Sequence, residues 1–83
     1  QENELAEKLY NELKSLGVEF LFTQETNQIF PIFNNKVIDK IKDEIAFEVW
    51  DTNDETTCIR FVTSFLTTLD DVLNAIYIIK KYL

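Results

Sequence analysis

The 83-residue chain has no histidine and no methionine, and one residue each of glycine, proline, cysteine and tryptophan. Without histidine or a glycine-rich loop, two common carriers of chemistry are missing, the titrating imidazole and the phosphate cradle. The lone cysteine, Cys58, excludes an internal disulfide and fits a reducing compartment, read here as cytoplasm. No apolar run approaches the length that a bilayer requires. Positive charge is also scarce: 8 Lys and Arg stand against 15 Asp and Glu, a net charge of −7. That balance argues against nucleic acid and anionic membrane as partners, because both need a dense positive patch. The acidic groups are scattered along the chain, which serves solubility.

What is present suits a small folded domain. Apolar residues make up 46% and charged residues 28% of the chain, a globular composition. A chain of this length buries about 60% of the surface it exposes when unfolded. We expect one domain over residues 1–83. A helical pattern opening within the first residues, with no methionine before it, suggests an element cut from a longer polypeptide.

Leu5, Leu9, Leu13 and Leu16 fall at helical spacing, with Glu4 and Lys8 one turn apart on the outer side. Gly17 follows where a helix C-cap wants a left-handed residue, so a helix over about 3–16 is predicted. Val18, Phe20 and Phe22 alternate as a first strand, and Gln24 to Asn27 form a turn, with Asn27 satisfying its backbone. Gln28 to Phe33 reads as a second strand, placed at an edge or a bulge because Pro31 has no N–H to donate. Asn34 and Asn35 offer an N-cap to a short helix that buries Val37, Ile38 and Ile41. Ile45 to Trp50 and Thr57 to Thr63 form two more strands around the polar turn 51–56. Thr67 or Thr68 caps a last helix striped by Val72, Ile76, Ile79 and Leu83, with Leu73 and Tyr77 beside them. Asp70 and Asp71 suit its first turn, and Lys80 and Lys81 its last.

The order α-β-β-α-β-β-α implies an α+β two-layer sandwich: a small antiparallel-rich sheet with helices mainly on one face. Side chains alternate along a strand, so Phe47, Val49, Ile59 and Phe61 should meet the helices. Glu48, Trp50, Cys58 and Arg60 should share the other face.

Arg60 is the chain's one arginine, set in the β-prone stretch Thr57-Cys58-Ile59-Arg60-Phe61-Val62-Thr63-Ser64-Phe65. The seven other cations are lysines in helical segments. A guanidinium standing off a sheet offers a planar fork that suits a carboxylate. Two readings of Arg60 follow: capture of a ligand carboxylate, or a cross-strand ion pair with Glu48 in a hairpin centred near Asp54. Trp50 reads as packing at that face and Cys58 as an inert small apolar residue. Asp51, Asp54 and Glu55 lack the register and central glycine of a calcium loop, so they read as solvated.

The ordered set Gly17-Val18-Glu19-Phe20-Leu21, Glu25-Thr26-Asn27-Gln28-Ile29-Phe30, Trp50, Ile59-Arg60-Phe61-Val62-Thr63-Ser64-Phe65, Thr67-Thr68 and Asp70-Asp71-Val72 resembles a known domain. It is similar to the C-terminal small domain of the threonine aldolase and β-eliminating lyase family, pyridoxal-phosphate enzymes of the aspartate aminotransferase fold type. The resemblance implies a parent lyase that cleaves a β-hydroxy amino acid such as threonine to glycine and an aldehyde. It also implies a large domain carrying the Schiff-base lysine and the phosphate site, and a homo-oligomeric parent. Of the family's functional residues only one transfers: Arg60, to the arginine that binds the α-carboxylate of the amino-acid substrate. Nothing in this chain matches the cofactor-binding residues, so the isolated chain is expected to bind no pyridoxal phosphate and to lack lyase activity. The alternatives are a stand-alone ligand-binding module and an acidic protein-interaction module acting through Trp50 and its aromatic neighbours.

Overall fold

A computed structural model describes residues 2–24, 27–62 and 68–83, leaving aside the side chains of Glu2, Asn3 and Val62. The elements run α1 (Glu2–Ser15), β1 (Glu19–Phe20), β2 (Gln28–Ile29), β3 (Pro31–Asn34), α2 (Asn35–Ile41), β4 (Glu48–Thr52), β5 (Thr56–Val62) and α3 (Leu69–Tyr82). This is the predicted α+β sandwich, with the second strand broken into β2 and β3. The expected turn residues Glu25 and Thr26, the motif residues Thr63 to Phe65 and the alternative cap Thr67 lie outside the described residues.

All strand pairs are antiparallel, and β5 is their hub. It pairs with β2 and β3 along one side and with β4 along the other, while β1 adds to β3. Ile29 lies opposite Phe61 and Ile32 opposite Cys58, a step of three residues on both strands. So β2 and β3 follow one line along β5. Pro31 lies inside the sheet, between β1 and β5, which corrects the edge placement. The Leu21 N–H donates to the Phe30 carbonyl at 3.0 Å, so the polar groups of Phe30 point to the β1 side. Backbone polar groups alternate along an antiparallel strand, so Pro31 turns toward β5 and its missing N–H falls there. The ladder breaks at that point, and a buried ring is accommodated inside the sheet.

The core lies between sheet and helices. Ile29, Phe33, Ile59 and Phe61 of the sheet meet Leu9 and Leu13 of α1, Ile41 of α2, and Val72, Ala75, Ile78 and Ile79 of α3. Each such aliphatic or aromatic side chain contributes about 1.5–3 kcal/mol by leaving water. The stripe on α3 is rotated from the one expected. Ala75 and Ile78 are buried, Ile76 is half-buried, and Leu73, Tyr77 and Leu83 are exposed. Two small residues, Ala6 and Ala75, sit in the core because helices approach one another closely there. Lys8 pairs with Glu12 at 3.2 Å and not with Glu4; both glutamates lie one turn away, on opposite sides.

Other strand bounds also shift. β4 starts at Glu48 because the turn after α2 stays helix-like: the Ile45 N–H bonds the Ile41 carbonyl at 3.0 Å. Val49 keeps its register opposite Ile59, on the helical side, but is 60% exposed. It sits on an edge strand beyond the helices' reach.

Local stops and starts are as the sequence indicates. Gly17 has φ +90°, its N–H bonds the Lys14 carbonyl, and the Val18 N–H bonds the Leu13 carbonyl. These two bonds form a Schellman motif, and buried Val18 and Leu13 supply its apolar contact. The Asn34 side chain accepts from the Lys36 N–H and caps α2. Asn35 ties that helix start to the β4–β5 hairpin, accepting from the Thr57 hydroxyl and donating to the Asn53 carbonyl. Thr68 and Asp71 form a reciprocal capping box on α3.

Two substitutions test these ends by urea denaturation. Gly17→Ala should cost about 1–2 kcal/mol through backbone conformation alone, since an added Cβ meets nothing within 4 Å. An unchanged midpoint would show that the helix end needs no left-handed residue. Thr68→Ala should cost about 1 kcal/mol, with the loss confined to the α3 N-terminus by amide exchange.

Candidate functional site

The face of the sheet away from the helices carries the candidate site. The regular register of β4 up to Val49 sets Glu48 directly opposite Arg60. Arg60 Nη2 donates to Glu48 Oε1, an ion pair with both side chains partly exposed. Beyond Val49 the register shifts, Trp50 is the extra residue, and Asp51 takes the place opposite Cys58. A bulge of this kind re-aims a side chain. Here the indole lies beneath the guanidinium, with Arg60 Cζ 5.7 Å from its centroid. The arginine is therefore held by two partners, a carboxylate bonded to Nη2 and an aromatic ring within cation–π range.

An aromatic row continues from Trp50 across the sheet. Phe30 meets Trp50 edge-on at 5.0 Å, and Phe22 meets Phe30 edge-on at 5.1 Å. Continuing the β2–β3 register puts Phe30 opposite Arg60, hence on the same face. Phe22 corrects the expected alternation. The pairing of β1 ends near Leu21, the chain bends, and the ring joins Phe30 on the open side instead of entering the core. Trp50 is 49% exposed and Phe22 50%, with Leu21 exposed beside them. The sequence reading placed Trp50, Glu48, Cys58 and Arg60 together, and the structure brings them together. It missed Phe22 and Phe30, because the pairing of β2 and β3 with β5 spans α2 and β4 and no hairpin count reaches across them.

Cys58 belongs to this face but not to its surface. It is buried, its thiol lies 3.6 Å from the Phe30 carbonyl, and burial together with the nearby Asp51 carboxylate pushes its pKa up. A thiol held protonated is a poor nucleophile. Cys58 is therefore packing, as an inert small apolar residue, and the apolar exposure comes from Leu21, Phe22 and Trp50.

A cleft of about 410 Å³ is lined by Leu16, Val18, Ile32, Val37 and Leu83 among others, and Arg60 is not among its walls. Nor do the residues fit pyridoxal phosphate. All seven lysines are exposed on helices or at a helix end, none near Arg60, and the one glycine closes α1. Among the described residues no helix is long and apolar enough to cross a membrane.

No protein-family profile matches the chain, and no curated protein sequence matches it either. In structure it is similar to the threonine aldolase of Leishmania major, with a TM-score of 0.86 and 23% identity. The alignment covers 96% of this chain and 24% of that one. At that identity the likeness establishes the fold: nearly the whole chain has the architecture of one quarter of a threonine aldolase chain.

Proposed function

We propose that this chain is the C-terminal small domain of a pyridoxal-phosphate-dependent lyase of the threonine aldolase type, and that Arg60 binds the α-carboxylate of its amino-acid substrate. The observation that carries the reading is the match of almost the whole chain to one quarter of a threonine aldolase. The ordered sequence motifs around Arg60 support it, as does a fork-shaped cation on an uncovered sheet face. The parent reaction is the cleavage of threonine to glycine and acetaldehyde, in the cytoplasm that a lone buried thiol suits.

The division of labour follows from what these residues can do. Arg60 binds and orients: two parallel N–H bonds fix a carboxylate in position and in plane. Trp50 holds the guanidinium plane, and the row Phe30–Phe22 offers an apolar surface for a large domain of the same polypeptide to cover. Pyridoxal phosphate, when bound, supplies the electron sink for carbon–carbon cleavage. The described residues offer neither the lysine nor the phosphate cradle for it, so in this reading those belong to the large domain and the chain alone is inactive.

In the polypeptide that carries this domain, Arg60→Ala should weaken amino-acid binding about 10- to 100-fold, the loss of a charge-assisted hydrogen-bond pair. Cofactor absorbance should persist. Unchanged saturation kinetics would reject the carboxylate role.

The isolated chain should self-associate through its open face, because Leu21, Phe22 and Trp50 form an exposed apolar row. Sizing across a concentration series checks this, and Phe22→Ser with Trp50→Ser should return it to a monomer. A strictly monomeric wild-type chain at high concentration would reject the uncovered-interface reading.

A further inference from the structure

The nitrogens of Arg60 are not equally available. Nη2 donates to Glu48 Oε1, while Nε is buried with no acceptor among the described residues. The guanidinium carbon lies over the Trp50 ring. A carboxylate engages arginine through two parallel N–H bonds, either at the tip, through Nη1 and Nη2, or along the side, through Nε and Nη2. Both modes need Nη2. Each terminal nitrogen carries two N–H groups, so Glu48 takes one of the pair on the nitrogen that both modes share, and its negative charge sits beside the guanidinium.

We propose that Glu48 is a built-in competitor for the Arg60 site, an intramolecular carboxylate whose bond and charge at Nη2 oppose a ligand carboxylate binding the same guanidinium. This rests on the carboxylate reading of Arg60 and adds how that site is regulated. Three features suit Glu48 to the part. It lies on the edge strand β4, with 48% of its side chain exposed, so water can take it when it leaves. The cross-strand register returns it to Arg60 when the ligand departs. Trp50 contacts the guanidinium through its ring, a contact separate from the Glu48 bond. Burial of Nε leaves the terminal nitrogens to meet a ligand, and Glu48 bonds one of them.

Trp50 is the chain's one tryptophan and touches the guanidinium, so its fluorescence reports on the site. The chain is titrated with sodium acetate, and separately with L-threonine, against sodium chloride at matched ionic strength. Wild type, Glu48→Gln, Glu48→Ala and Glu48→Gln combined with Arg60→Lys are compared, with folding checked by circular dichroism. Removing an exposed competing ion pair should tighten acetate binding about two- to fivefold in both Glu48 variants. The response should vanish when Arg60→Lys removes the fork. Equal affinity in wild type and both Glu48 variants, lost with Arg60→Lys, would overturn the competitor and leave the carboxylate site standing. Weaker binding in the Glu48 variants would overturn it too, making Glu48 a support for Arg60. No saturable response in either Glu48 variant would overturn both the competitor and the carboxylate reading.

Discussion

The pleat of β5 sends Ile59 and Phe61 into the helical layer and Arg60 to the opposite side, and the molecule is built around that alternation. A strand paired on both sides has little freedom to slip, because a shift of one residue would exchange its faces. Such a slip would bury the guanidinium and expose the largest ring of the core. The apolar contacts of Ile59 and Phe61 with three helices therefore also fix where Arg60 stands. Core and site are two consequences of one register.

The two faces of the sheet differ in completeness. The helical side closes over Ile29, Phe33, Ile59 and Phe61. On the other side a row of rings runs from Phe22 through Phe30 to Trp50 and ends at the Arg60–Glu48 pair. Antiparallel sheets commonly leave one face to water, but such faces are then polar. This one carries a row of rings beside a single Arg–Glu ion pair, unlike a fully solvated sheet face.

The ends of the helices show how local chemistry and long-range packing cooperate. Gly17 stops α1 within one turn, but its neighbour Val18 is buried against the core and so aims the chain into β1. Asn34 caps α2 locally, whereas Asn35 reaches across to Thr57 and Asn53 and locks the β4–β5 hairpin to the helix start. Thr57, buried and polar, is satisfied by that bond and by the Thr52 hydroxyl at 2.8 Å. The hairpin that positions Glu48 opposite Arg60 is thus anchored at its turn end by side-chain bonds and at its middle by core packing.

The sequence by itself determined the order of helices and strands and the Gly17 stop, narrowed the other caps to Asn34 or Asn35 and Thr67 or Thr68, and offered the Glu48 pair as one of two readings of Arg60. All of these depend on periodicity, on one helical turn, or on counting back from a short hairpin, interactions that close over few residues. Only the tertiary structure decided the rest. Pro31 could enter the sheet because β1 covers its outer side and its missing donor falls where the ladder breaks. Phe22 left the core face because the pairing of β1 ends near Leu21, and Phe30 was there to receive it. Val49 stayed exposed on an edge strand, and a bulge at Trp50, on the face that alternation had given it, put Asp51 rather than Trp50 opposite Cys58. In each case the deciding partner lies several residues to tens of residues away along the chain, where propensity and spacing carry no information and only packing does.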